Sequence, residues 1–241
     1  MNVDWIDPHP ERMRKSAITT LTRADFELSE AQILILQRTF DEHLEPDIWL
    51  PPDHTYRHRA YQCFSLDLAR SKFIFLNDPP PYVQPLSINP VAGGLNRRFR
   101  IVTASHPVTS VVMQVAEKII RLLRNAEILS VNTANNYTID VHYIRITAPG
   151  EPAPEGIHRD NLIAGSTHLV RRFNVSGGVT SIFDASNTLL RRFTLNQPFD
   201  SFVFNDSAVL HYTDEIWPIE PNVPAFRDVL LIGVRQHDRQ G

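Results

Sequence analysis

Apolar positions follow a helical spacing in the first half of this chain and a strand-like one in the second. In "SEAQILILQRTFDEHL", Ile33, Leu34, Leu36 and Phe40 fall near the helical repeat, and Ser29 stands where an N-cap belongs. A second helix is predicted in "PVTSVVMQVAEKIIRLLRNA", with Val111, Val115, Ile119 and Leu122 along one stripe. Between them, "NDPPPYVQPLSINPVAGG" reads as turn and extended chain, because proline excludes helix. From about Tyr137 the residues turn β-branched and aromatic, and "YTIDVHYIRITA" predicts a strand. A loop, "PGEPAPEG", precedes strand material in "IHRDNLIAGSTHLVRRFNV". Further on, a hairpin is expected around "DASNT", two strands around "NDS", and a last strand in "RDVLLIGVRQ". Short strands at this spacing predict a mainly β (α+β) protein built on a double-sheet β roll. The chain reads as one domain, with helical support and lid segments in residues 1–136 and the β-roll core in 137–241.

Composition changes this picture little. A chain of 241 residues suits one large domain and can bury roughly 70–75% of its unfolded surface. A net charge of −3 gives no electrostatic reason to expect nucleic acid or an anionic membrane as partner. Cys63 is the single cysteine, so no internal disulfide forms, which fits a reducing compartment. The N-terminal "MNVDWIDPHPERMRK" lacks an apolar core of the signal-peptide kind, and no apolar run reaches the ~20 residues of a membrane helix. A cytoplasmic protein is expected. With 18 prolines against 9 glycines, constrained turns should be many.

The stretch "PEGIHRDN" carries the candidate chemistry. On a strand, residues two apart share a face, so His158 and Asp160 would present an imidazole beside a carboxylate. With ten histidines in the chain, one such pair by chance is nearly expected. "HPE" at His9–Glu11 and "HLE" at His43–Glu45 have the same spacing, but in settings that predict solvated surface. "HRD" follows a rigid turn in an extended segment, and His211 lies in another predicted strand. Two histidines and a carboxylate make the three-ligand face of a non-haem Fe(II) oxygenase, leaving other metal positions open. The competing reading is a buried His–Asp hydrogen bond with His211 unrelated.

Several spaced motifs extend beyond that pair. "PEGIHRDN…VRRFNVSGG…LHYTDEI…FRDVLLIGV" resembles the bacterial 2-oxoglutarate/Fe(II) dioxygenases of the L-isoleucine dioxygenase type, which hydroxylate free amino acids. "YRHRAY" looks like that family's R-x-R-x-Y segment. "YVQPLSINPVAGGLNRRF" is similar to its Y-x-Q-x(4)-N-x(3)-G-G-x-x-R-x-F stretch, matching at Tyr82, Gln84, Asn89, Gly93, Gly94, Arg97 and Phe99. "VHYIRITA" matches its H-x-x-R strand at His142 and Arg145. The resemblance spans roughly residues 56 to 234. It departs after the distal histidine, where the family's Val-Thr-Pro is replaced by a stretch holding Asp214 and Glu215.

The resemblance implies a double-stranded β-helix (jelly-roll, cupin-like) core with supporting N-terminal helices. It implies Fe(II) on His158, Asp160 and His211, with 2-oxoglutarate as co-substrate and O2 as oxidant. The far carboxylate of 2-oxoglutarate then needs a bidentate cation. Arg227 and Arg235 are eight apart on the last strand and share a face, so alternation cannot choose between them. The "FRD" of the family motif selects Arg227. Contacts to a small amino acid substrate are expected from Arg57, Arg59 or Arg145 for its carboxylate, from Gln84 or Asn89 for its ammonium, and from Tyr143. His142 and His168 are expected as hydrogen-bonded core residues, one of Arg171 and Arg172 should face inward, and Ser176–Gly178 should form a bulge of positive φ. The alternatives are an inactive β roll that binds a small acid, and the same chemistry on a peptide or carrier-bound substrate.

Overall fold

The computed structural model describes residues 7–236. The first six residues, part of the N-terminal stretch read above, and residues 237–241 of the polar tail lie outside the described residues. The elements in order are α1 (His9–Ser16), β1 (Ile18–Leu21), α2 (Arg23–Phe26), α3 (Glu30–Glu42), β2 (Glu45–Pro46), β3 (Arg57–Asp67), β4 (Lys72–Phe75) and α4 (Val108–Asn125). Nine strands follow: β5 (Asn136–Thr147), β6 (Ala164–Phe173), β7 (Val175–Gly177), β8 (Thr180–Phe183), β9 (Leu189–Phe193), β10 (Ser201–Asn205), β11 (Leu210–Thr213), β12 (Ile216–Pro218) and β13 (Phe226–Gln236).

Both long helices form for the reasons their sequences suggest. Ser29 Oγ accepts from Gln32 N–H while Gln32 Oε1 accepts from Ser29 N–H, a reciprocal cap on α3. In α4 the apolar stripe Val111, Val115, Ile119 and Leu122 is buried. These helices cover one face of an eight-stranded antiparallel sheet ordered β1-β10-β6-β13-β5-β3-β2, with β4 paired to β3. The opposite face meets the smaller sheets β11-β8-β9 and β12-β7. One apolar core lies on each side, so the central strand β5 is buried almost throughout rather than alternating with solvent. The result is a mainly β jelly-roll with helices on its outside. No helix among the described residues is long and apolar enough to cross a membrane.

The boundary drawn at residue 136 does not separate helix from sheet. β3 pairs antiparallel with β5 from Arg57↔Ile146 to Asp67↔Asn136, and β1 pairs with β10. "RHRAYQCFSLD" reads poorly as a strand because its cavity face is polar: Arg57 and Arg59 line the cavity and Tyr61 packs beside His142, while Ala60, Phe64 and Leu66 pack against the helices. His9 of the "HPE" decoy is not solvated either. It is buried in α1, with Nδ1 2.9 Å from Thr19 Oγ1 and Nε2 3.3 Å from Asp25 Oδ1. His43 is part-exposed and Glu45 exposed, as expected. The bulge after β7 forms with φ of 75° at Gly177 and 67° at Gly178. A Cβ on Gly177 would stand 2.2 Å from the Glu215 carbonyl oxygen.

His168 is the hydrogen-bonded core residue expected of it, held between Ser166 Oγ and Ser201 Oγ at 2.9 Å each. Burial pushes its pKa down to about 3. The unfolded ring titrates near 6.5, so protons favour the unfolded chain once pH falls through that value. The stability His168 contributes is complete above about pH 6.5 and is lost progressively towards its folded pKa. Urea unfolding at pH 5 should therefore show about 2 kcal/mol less stability from this residue than at pH 7. His168→Gln should remove that part of the pH dependence, and an unchanged slope would place its origin elsewhere.

Candidate active site

The loop after β5 returns to the barrel at His158, which forms a two-way backbone pair with His211 of β11. His158 N–H donates to His211 O at 3.0 Å, and His211 N–H donates to His158 O at 2.9 Å. This pairing sets the two imidazole centroids 4.3 Å apart. Beyond that bridge the chain leaves strand geometry, and Asn161 turns in the left-handed region with φ of 63°. His158 and Asp160 therefore meet through a clamped turn, not through the shared strand face that their spacing suggested. Asp206 is the clamp: Oδ1 accepts from Asp160 N–H at 3.0 Å and Oδ2 from Leu162 N–H at 2.8 Å. Nothing in the "NDS" turn signal pointed to that role.

The result is a convergent donor set. Asp160 Oδ1 lies 3.7 Å from His158 Nε2, and Oδ2 lies 3.5 Å from His211 Nε2. All three ligand atoms fall within 4.8 Å of one another. His158 Nδ1 donates to the Gly156 carbonyl at 2.7 Å, leaving Nε2 as the ring nitrogen turned to the centre. Burial, then the neighbouring His158, holds His211 well below the ordinary imidazole range, in the neutral form that ligates metal. Burial raises the Asp160 carboxyl, against the pull of His158. A bound cation reverses that preference. Two imidazoles and one carboxylate on one side of a cavity fit Fe(II) with positions left open.

The cavity beside the triad is walled by β3, β5 and β13 and covered by the segment from Tyr82 to Arg97. Arg227 lies in it, 3% exposed, with its Nε lacking a partner among the described residues. Burial, then Arg172, lowers its pKa to about 10, so it remains charged at neutral pH. Asp228 does not neutralise it. That carboxylate faces the helices, where Arg145 Nε and NH2 donate to it at 2.7 and 2.8 Å and Arg171 adds 3.0 Å. Arg235 is occupied as well, donating to both oxygens of Asp140. Arg171 also reaches Asp41 of α3, whereas Arg172 turns to the Val175 and Gly177 carbonyls.

Arg57 and Arg59 line the cavity, 7% and 8% exposed. Arg57 NH2 donates to the Pro152 carbonyl at 3.0 Å, while Arg59 Nε lies 3.6 Å from Asp47 and its guanidinium stacks 4.7 Å from the Phe99 centroid. Two of the expected substrate contacts face the wrong way. Tyr143 is fully buried on the helix side, donating to Gln62 Oε1 at 2.8 Å, and Arg145 ties α3 to the sheet through Asp41 and Asp228. Strand alternation explains this, because His142 faces the cavity and Tyr143 and Arg145 must then face away.

Gln84 and Asn89 do line the cavity, but their acceptor oxygens are filled. Gln84 Oε1 accepts from Asn89 Nδ2 at 3.1 Å and Arg97 NH2 at 2.7 Å. Asn89 Oδ1 accepts from Val91 N–H at 3.0 Å and Ala92 N–H at 2.7 Å. These side chains fold the covering segment and fasten it to the metal loop through Gln84 Nε2 and the Asp160 carbonyl, 3.1 Å apart. They are not free to accept an ammonium. Asp214 is paired with Arg192 at 3.0 Å and Glu215 is exposed, and neither lines the cavity.

His142 overturns its expected core role. It is 7% exposed, and neither ring nitrogen has a hydrogen-bond partner among the described residues. Tyr82 and Tyr61 enclose it at centroid distances of 4.7 and 4.8 Å. Burial, then Arg59 and Arg97, keeps the ring neutral. Glu155 was missed although it stands three residues before His158. It lines the cavity with Oε1 3.4 Å from His158 Nε2.

The family model for 2OG-Fe dioxygenases matches residues 38–233. The chain belongs to that family. Members use Fe(II), 2-oxoglutarate and O2, for which the His158–Asp160–His211 set and the unpaired Arg227 are chemically suited. Solved structures agree on the fold of this dioxygenase. A bsmA homologue from Methylobium petroleophilum PM1 is 25% identical with a TM-score of 0.79, covering 97% of this chain and 94% of its own. The structure of IDO from Bacillus thuringiensis is 18% identical with a TM-score of 0.80, covering 99% of both chains. The Fe(II)/(alpha)ketoglutarate-dependent dioxygenase TqaL is 14% identical with a TM-score of 0.73, covering 96% of this chain and 87% of that one. A search of curated protein sequences finds no match.

Proposed function

We propose that this dioxygenase hydroxylates a side-chain carbon of a free L-amino acid, more readily an aliphatic one than a charged one. The balanced reaction joins substrate C–H, O2 and 2-oxoglutarate to give the alcohol, succinate and CO2. Bound Fe(II) supplies the oxygen activation. The chain supplies the rest: His158, Asp160 and His211 hold the metal, and Arg227 receives the far carboxylate of 2-oxoglutarate.

The observation that carries the substrate reading is Arg57. Its guanidinium is buried in the cavity, and its hydrogen bonds go only to the Glu151 and Pro152 carbonyls. Glu155 and Asp47 act on its charge from a distance, but no carboxylate among the described residues is hydrogen-bonded to it, so the buried guanidinium favours a ligand that brings one. The neighbouring walls are apolar, with Ile144, Ile146, Val229 and Phe202 available to an aliphatic side chain. The cover built by Gln84, Asn89 and Arg97 over this cavity favours a small substrate over a peptide. A complete donor set and an unpaired Arg227 favour turnover over an inactive binding role.

The test compares free L-isoleucine, L-leucine, L-methionine, L-arginine and L-lysine with their N-acetyl amides, given Fe(II), ascorbate and 2-oxoglutarate. Mass spectrometry should find hydroxylated product and matching succinate from the free aliphatic acids. Equal rates on the capped amides would move the reading to a peptide or carrier-bound substrate.

A further inference from the structure

A zwitterion enclosed in this cavity needs an acceptor for its ammonium as well as a cation for its carboxylate. The two amides that the sequence offered as acceptors are saturated, since each carbonyl oxygen has two lone pairs and each already takes two donors. Three carboxylates line the cavity: Asp140, Glu155 and Asp160. Asp140 is held by Arg235 and by the Tyr61 hydroxyl. Asp160 belongs to the metal set.

Glu155 remains. Among the described residues its ion-pair contact is with His158 Nε2 at 3.4 Å, a nitrogen that has no proton to offer when it holds the metal, while Arg57 lies close enough for the two opposite charges to act on each other. A carboxylate facing a metal-bound nitrogen gains no hydrogen bond there. Its side chain is only 12% exposed. Glu155 and the Pro152 carbonyl that braces Arg57 belong to the same short loop, so one loop sets both charges.

We propose that Glu155 reads the substrate's α-ammonium, completing with Arg57 a two-charge clamp on the amino-acid head group. The assignment rests on the free-amino-acid reading above. It makes Glu155 a specificity-determining residue that separates amino acids from carboxylic acids of the same shape.

The test scans the twenty proteinogenic L-amino acids with wild-type protein. It then takes the best substrate and its des-amino counterpart to Glu155→Gln, an uncharged near-isostere. The ratio of kcat/KM for the amino acid over its des-amino counterpart should collapse by roughly ten- to a hundredfold, the loss of one charged hydrogen bond. Glu155→Asp should recover part of it. Equal losses on both substrates would overturn the assignment, as would a tenfold fall in Fe(II) affinity by anaerobic calorimetry, which would put Glu155 among the metal ligands. Failure of the wild type on every free amino acid would instead sink the substrate reading, and this inference with it.

Discussion

Alanine at Asp160 should reduce succinate formation to the background of the uncatalysed reaction while leaving the fold in place. The reason lies in how the residue is held. Its fold-supporting contacts are made by its backbone: the N–H donates to Asp206 and the carbonyl accepts from Gln84. Alanine keeps both. What it removes is the only anionic, hard oxygen donor in a set otherwise made of two imidazoles. Circular dichroism and the unfolding midpoint should stay close to wild type, while Fe(II) affinity and succinate output fall together. His158→Ala and His211→Ala should behave the same way, because the hydrogen bonds that pair these two residues are also backbone bonds. Full activity of Asp160→Ala would refute the metal assignment.

Arg227→Ala should raise the apparent KM for 2-oxoglutarate by orders of magnitude. Truncating one partner of a buried charge pair costs about 3–5 kcal/mol, or roughly two to three and a half powers of ten. That cost applies here because no carboxylate among the described residues is bonded to Arg227: Asp228 is committed to Arg145 and Arg171 on the other face of the sheet. Lysine should rescue only in part, for it lacks the planar fork that matches a carboxylate with two parallel bonds. Arg235→Ala should have the smaller effect on 2-oxoglutarate, because that side chain already serves Asp140. The opposite ranking would reverse the choice between the two arginines.

The sequence alone determined the two long helices, the strands beyond residue 136 and the Ser176–Gly178 bulge, and it named His158, Asp160 and His211, whose ligand atoms the fold brings together. Each is written locally: a cap and an apolar stripe for α3, β-branched runs for the strands, two glycines where φ is positive. The triad was legible because "HRD" and "LHYT" sit within ordered motifs, even though the reason first given for its convergence, a shared strand face, does not hold. Which face a side chain presents was harder to read. His142, Tyr143 and Arg145 come from one strand, yet only the position of β5 between two cores sends His142 to the cavity and the other two to the helices. Tertiary structure also decided which polar groups are still free to bind a ligand. Hydrogen-bonding capacity is finite, and Gln84, Asn89 and Arg235 spend theirs on partners that are distant in sequence or hidden in the covering segment. Arg57 and Arg227 each keep a guanidinium Nε without a partner among the described residues, and Glu155 stands in the same cavity without a hydrogen bond to either arginine.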